Sequence, residues 1–450
     1  MPDAKDTIAR YVSQREDITQ RVRQCLVDGL RLEIDPAQIG LDAPLFGSGL
    51  GLDSVDALGI VATLEVRFGL EIVDGDMALF RSVNTIVDFI LAHQGVAQPS
   101  PPDFHPPAPA PHGAPTTAEQ LNLAWRQGLV VLDLSQTRTL QFARSIEVSD
   151  LARCVAGNVR DMAVGDVLHT LILGDKGDVQ EIIWLLRTEA GYRLLAEDFG
   201  DAAAFAATVA NITRAGLSVT DDTDRHAQVA IVGPEAQDAL SARLGPDILR
   251  LAYLQAQRMT YDGCDLLVSR HGDSGEFEYR ILLPREQLPV LDRSLLAPLG
   301  VTAREADAQA ASMLCALEMK SMRTSLLVPG VLPRLADLQW MLRAELQHNA
   351  NTAPPESRPS RARRATAVVS ETELCGGNEL FLLGGPVGEI RRAGFSPSLS
   401  HWIGLAYVEE AWAWPGLIYE LRSEGGARGY AGARSAPLFL TRTVTDNLNV

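Results

Sequence analysis

The sequence predicts a multidomain chain: a small all-α bundle, an extended tether, and a larger α+β body. Three observations predict it. Composition changes sharply near residue 95. The segment before the change carries helical patterns, and the change itself is a proline-rich run. Beyond it, strand-like runs come in groups with helices between them, which is α+β rather than regular βαβ alternation. The 450 residues, 46% hydrophobic and 22% charged, are enough for several cores of ordinary globular composition.

Taken in order, Ile18–Leu32, Ser54–Phe68 and Val83–Ala92 have helical periodicity. Between Val55 and Phe68 the polar residues Asp56, Thr63 and Arg67 fall on one stripe and most of the remaining face is apolar. The pattern predicts a helix largely buried in a small bundle with one exposed edge. Residues 1–95 carry fifteen acids against eight Lys and Arg, a balance of −7. Gln98 to Thr117 then reads QPSPPDFHPPAPAPHGAPTT, with eight prolines between Pro99 and Pro115. Such a run cannot bury a core. Extended at ~3.1 Å per residue it spans roughly 60 Å, enough to let a small domain visit a larger one.

In the body, strands are expected at Val130–Leu134, Leu168–Leu173, Gln228–Val232, Leu266–Ser269 and Phe277–Leu283. Helices are expected at Ala236–Leu244, Arg285–Leu299 and Ala303–Met319. The stretch from His348 to Ala367 is polar, basic and proline-containing, and reads as a flexible insertion. Gly384–Gly388 (GGPVG) lies among C-terminal strands and reads as a tight turn.

Several function classes are excluded or disfavoured. A net charge of −17 argues against a nucleic-acid surface. No apolar run approaches the roughly 18 residues of a membrane span, and MPDAKDTIAR lacks the apolar core of a signal peptide. Five scattered cysteines without a CxxC pair fit neither a zinc site nor a disulfide framework, so a cytoplasmic protein is expected. No GxxxxGK[ST] loop and no HExxH are present, and no metal site is expected.

The chemistry-bearing motif of the first segment is Gly51-Leu52-Asp53-Ser54-Val55-Asp56-Ala57-Leu58. A serine at a helix start can be a cap, satisfying an orphan N–H. An acidic helical bundle on a long tether suits a mobile carrier instead. With Phe68-Gly69-Leu70-Glu71-Ile72 after it, residues 15–93 resemble an acyl (or peptidyl) carrier protein. The resemblance implies a four-helix bundle with Ser54 esterified to 4′-phosphopantetheine by a phosphopantetheinyl transferase. It implies that Asp53 holds metal and coenzyme A phosphate in that reaction, and that Asp56 and Glu65 belong to the acidic face partners read.

The body carries a spread signal: Val131-Leu132-Asp133-Leu134-Ser135, His169 to Glu181, Val229 to Ala236, Ser269 to Glu278, Ala316-Leu317-Glu318, and Gly388 to Val408. In order and spacing these resemble the aminomethyltransferase family, the tetrahydrofolate-dependent T-protein of glycine cleavage. The resemblance implies three subdomains around a folate channel, with a C-terminal β-barrel. Expected boundaries are 1–95 for the carrier, 96–118 for the linker, 119–347 for the folate-binding domain, 348–367 for the insertion and 368–450 for the barrel.

By the resemblance, Glu181 stands where the family has its catalytic aspartate, and Glu278 fills the pterin-reading position. A carboxylate suits a pterin because the ring edge offers adjacent N–H donors. Asp133, His169 and Glu318 complete the expected folate-binding set. Each has a plain structural alternative: Asp133 as a turn cap, Glu318 paired with a core cation, His169 a satisfied core histidine, Glu181 an acid in a polar turn, Glu278 a solvated strand residue. The sequence departs from the family at Glu181 (one methylene longer), Ile182, His169 and Ala316, and in the shortened loop Gly272–Glu276.

The expected function is therefore a carrier-fused, tetrahydrofolate-dependent one-carbon transferase acting on a phosphopantetheine-tethered acyl or aminoacyl group in secondary metabolism. An acyl- or aminoacyl-loading enzyme and a downstream synthase would be partners, with no nucleic acid and no membrane. Fusion raises the tethered group's effective concentration to roughly the millimolar range. The alternatives are a body that has lost folate chemistry and only docks or protects the cargo, and a folate that traps free formaldehyde.

Overall fold

A computed structural model describes residues 4–45, 49–50, 52, 54–73, 80–99, 116–196, 202–300, 302–303, 305–343, 346, 362–422 and 428–438. The carrier comprises α1 (Ala4–Leu30), α2 (Ser54–Phe68) and α3 (Val83–His93), with a 3₁₀ turn at Pro36–Gln38. Capping is local. Asp35 accepts from Ala37 N to start the turn, and Ser82 accepts from Thr85 N at the head of α3. Helix α1 begins fourteen residues before the expected start. Its early turns bury Ile8 and Tyr11, which join the apolar cluster of the C-terminal barrel rather than serving the bundle alone. The exposed edge of α2 also differs from expectation. Leu58 (67%) and Val66 (88%) point outward, while Thr63 is half-buried with its hydroxyl on the Gly59 carbonyl.

The proline run from 100 to 115 lies outside the described residues. Helix α4 (Thr117–Gln127) follows, capped by Thr116 and Glu119, so the last expected linker residues are already helical. The body holds two sheets. The first has the order β11-β1-β7-β10-β9-β8, from β1 (Val130–Asp133), β7 (His226–Val232), β8 (Gln255–Tyr261), β9 (Cys264–Arg270), β10 (Glu278–Pro284) and β11 (Thr302–Ala303). The second has the order β3-β4-β5-β2-β6, from β2 (Thr139–Phe142), β3 (Val167–Leu173), β4 (Val179–Thr188), β5 (Gly191–Ala196) and β6 (Val219–Asp221). Helices α5 (Val148–Cys154) and α6 (Ala202–Arg214) accompany the second sheet, and α7 (Ala236–Leu244) the first. Residues 285–299 are helical as expected, but broken into short pieces that include one π-helical turn. Helix α8 (Glu305–Met319) runs into the centre of the molecule.

The C-terminal part is a closed six-stranded barrel in the order β12-β15-β14-β13-β16-β17, with β12 (Arg363–Ser370), β13 (Glu379–Leu382), β14 (Gly385–Ser396), β15 (His401–Glu409), β16 (Ile418–Arg422) and β17 (Arg428–Arg434). Residues 363–367, expected in the flexible insertion, are barrel strand: β12 pairs with β15 from Arg363 onward. Residues 347–361 lie outside the described residues. The expected turn at Gly384 is a β-hairpin turn in which Leu383 and Gly384 both take positive φ, at 52° and 81°.

The carrier is seated on the barrel and body. Tyr11 Oη donates to the Pro415 carbonyl at 2.8 Å, and Ser82 Oγ to the Ala436 carbonyl at 2.9 Å. Buried Arg15 joins the carrier's Asp88 (2.6 Å) and Asn84 (3.2 Å) to Ser435 (3.3 Å). A buried ion triad completes the junction. Lys320 Nζ donates to Asp42 of the carrier at 2.5 Å and to Asp337 at 2.7 Å.

Candidate functional site

A cavity lies where the two sheets, the end of α8 and the carrier meet. Its floor is built by strand ends. Glu278 opens β10 opposite Val232, and His169 sits in β3 opposite Trp184 of β4. The His169 ring stacks on Trp184 at 3.8 Å and 9°, and Trp184 in turn lies 4.7 Å from His271. The walls include Asp273, Gly272, Lys320, Trp340 and Met341 from the body. Asp42, Ala43, Pro44 and Arg81 come from the carrier.

Glu278 is buried, with Oε1 accepting from Arg280 Nε at 3.0 Å. Burial raises its pKa above the usual carboxylate range, against the opposing pull of Arg280. His169 and His271 are fully enclosed, and burial, reinforced by nearby arginines, holds both well below the ordinary histidine value. Both rings are therefore neutral at pH 7. Neither nitrogen of His271 has a hydrogen-bond partner among the described residues, and Asp273 Oδ2 has none either, although Oδ1 accepts from Arg323 at 3.1 Å. Buried polar atoms are normally paired; of these two residues Asp273 lines the cavity and His271 does not.

Gly272 is part of this geometry. A Cβ there would stand 2.0 Å from the Glu278 carboxylate. Gly272→Ala is expected to push the carboxylate off Arg280 at a cost of about 1–3 kcal/mol. A thermal melt indistinguishable from the parent would refute that packing.

The structure brings Glu278 and His169 together but not the rest of the expected set. Glu181 is buried, yet it is not among the residues lining the cavity. Its carboxylate accepts from Thr324 Oγ1 at 2.9 Å and from Thr208 Oγ1 of α6 at 3.4 Å. The reason is strand periodicity: Ile183 and Leu185, on its side of β4, pack in the α6 core, while Trp184 faces the cavity rings. Glu318 follows its structural alternative. It pairs with Arg126 at 2.7 Å and accepts from Asn122 at 3.1 Å and Ser396 at 2.6 Å, tying α4, α8 and β14 together. Asp133 accepts from Ser135 N at 3.0 Å, an Asx turn. Ser54 is the first residue of α2, Asp56 is half-buried in its first turn, and Asp53 lies outside the described residues.

Arg81, Asp42, Lys320 and His271 were not anticipated. The signal for Lys320 was its rarity. The chain has three lysines (Lys5, Lys176, Lys320), and this one follows an apolar helix directly.

Three family models match the chain: a phosphopantetheine attachment site over residues 20–90, a GCVT N-terminal domain over 101–313, and a glycine cleavage T-protein C-terminal barrel domain over 363–439. Among curated relatives, the probable aminomethyltransferase of Pyrococcus abyssi is 21% identical over 70% of this chain and 87% of its own length. The aminomethyltransferase of Streptomyces coelicolor is 25% identical over 66% of this chain and 82% of its own. The crystal structure of glycine cleavage system aminomethyltransferase T from Bartonella henselae superposes with a TM-score of 0.62 at 19% identity, covering 72% of this chain and 90% of that one. No helix among the described residues is long and apolar enough to cross a membrane.

Proposed function

We propose that this chain, which joins a phosphopantetheine attachment domain to the N-terminal and C-terminal barrel domains of the glycine cleavage T-protein, is a tetrahydrofolate-dependent one-carbon transferase. Its substrate would be an acyl or aminoacyl group carried on Ser54, in a secondary-metabolite pathway. One observation carries the reading: the cavity that holds Glu278 and His169 takes part of its wall from the carrier itself, through Asp42, Ala43, Pro44 and Arg81. A phosphopantetheinyl transferase would load Ser54, and a loading enzyme and a synthase would charge and discharge the arm. The outward Leu58 and Val66 of α2 are open to such partners. Five free cysteines suit a cytoplasmic setting.

The residues present fit a pterin. Glu278 would accept the paired N–H donors of the ring edge, the open Asp273 oxygen would take a further donor, and the neutral His169 would form a flat wall beside the heterocycle. Tetrahydrofolate, when bound, supplies the nitrogen that carries the one-carbon unit. Glu278 orients, the rings of His169 and Trp340 exclude water, and the carrier wall sets where the tethered group enters. No proton transfer is assigned to Glu181, because Thr324 and Thr208 hold it away from the cavity.

The test is calorimetry with tetrahydrofolate on the pantetheinylated protein, beside Glu278→Ala. Loss of a buried, charged acceptor costs about 1.5–3 kcal/mol, so affinity should fall roughly 10–100-fold. No binding to the parent protein would sink the reading. The placement of Glu181 favours a second reading, in which the body docks or protects the cargo without catalysis. Product formation that survives Glu181→Gln and Glu278→Ala together would decide for it.

A further inference from the structure

The cation at the carrier's edge of the cavity has no role in the reading above. Arg81 precedes Ser82, the cap of α3. Its backbone is clamped: the carbonyl accepts from Leu45 N at 3.0 Å, and its own N–H donates to Thr85 Oγ1 at 3.2 Å. Ser82 anchors this corner to the body through Ala436. Arg81 lines the cavity, and its Nη1 is buried without a hydrogen-bond partner among the described residues.

The other cations on the wall are engaged. Lys320 is held by Asp42 and Asp337, and Arg270 donates to the Leu251 carbonyl at 3.3 Å. The nearby acid Glu276 is bonded to Arg126 at 3.3 Å. Burial lowers Arg81 only to about 10, with Glu276 opposing, so the group stays charged at neutral pH. A charged side chain on a cavity wall with a buried, unpartnered N–H calls for an oxyanion.

We propose that Arg81 of the carrier is an oxyanion-binding residue of the cavity, so that the ligand site is completed only when the carrier is seated. The anion is a carboxylate or phosphate presented to the carrier's edge of the cavity. Two sources share that chemistry: the glutamyl carboxylate of a folate, and the phosphodiester of the arm on Ser54. The first rests on the reading of the cavity as a folate site; the second does not.

The experiment uses the full-length pantetheinylated protein, Arg81→Gln and Arg81→Lys. Binding of tetrahydrofolate and of 6-methyltetrahydropterin, which carries no carboxylate, is measured by calorimetry, and the ³¹P resonance of the phosphodiester by NMR. If the carboxylate is the anion, Arg81→Gln weakens tetrahydrofolate about tenfold or more. 6-Methyltetrahydropterin binding then stays unchanged, and Arg81→Lys restores part of the loss. If the phosphodiester is the anion, both pterins bind alike in parent and variant, and the ³¹P resonance moves in Arg81→Gln. A parent that binds neither pterin removes the folate reading and leaves the ³¹P arm to decide. Unchanged pterin discrimination together with an unmoved ³¹P resonance overturns the proposal.

Discussion

Lys320→Met is expected to release the carrier from the body. The substitution removes the buried charge that faces Asp42 and Asp337 at 2.5 and 2.7 Å and leaves two buried carboxylates without the cation bonded to both. Breaking such a pair costs about 3–5 kcal/mol, which exceeds what a single apolar contact across the junction returns. The released carrier would be held only by the proline run, so scattering should show a larger radius of gyration and a protease should cut the linker faster. A parent-like scattering curve would show that apolar packing by Ile8 and Tyr11 is sufficient to seat the carrier.

The same triad sets a pH dependence. Burial works against Asp337, but Lys320 overrides it and holds the carboxyl below its ordinary value of 3.8. That contribution is present above the unfolded value and is lost as pH falls through the lowered one. Burial also works against Lys320, and Asp337 and Asp42 override it, raising the ammonium above 10.5. Its contribution is lost only as pH rises through that raised value. Docking should therefore be flat from about pH 5 to 10 and fail at either extreme. Undocking centred near pH 6–7 would point to a histidine and refute the triad as the latch.

Ser54→Ala should abolish loading altogether. Incubated with coenzyme A and a phosphopantetheinyl transferase, the parent should gain the mass of one phosphopantetheine and the variant none. The plain alternative, a helix-start serine that only satisfies a backbone donor, predicts a different result: about 1 kcal/mol of lost stability and no mass change in either protein. Intact-mass spectrometry separates the two in one measurement, because the attachment reading stands or falls on the parent's spectrum.

Much of this molecule was legible in local pattern. The 3.6-residue period placed α2 from Ser54 to Phe68 and α7 from Ala236 to Leu244 at their observed ends. Apolar runs placed the cores of β1, β3, β7, β9 and β10, because those strands bury most of their residues and are near-continuously hydrophobic. Strand β4 was passed over: its acid, Glu181, read as a turn, although Trp184 to Leu186 continue an apolar strand. The N-terminal half of α1 was missed because its buried face meets the barrel rather than its own bundle.

The sequence alone therefore determined the order of a carrier-like segment and a T-protein-like body, several of the body's strands and helices, and Ser54 and Glu278 as candidates. Each follows from interactions between residues close in the chain, or from a motif whose spacing carries the chemistry. Only the tertiary structure decided that Glu181 turns toward Thr208 and Thr324, that Glu318 belongs to Arg126, and that Asp42, Lys320 and Asp337 meet. It alone decided that Arg81 lines a cavity assembled from both parts of the chain. Those outcomes depend on which face of an element is covered and by what. The covering elements lie from 17 to 278 residues away, and no local period records those distances.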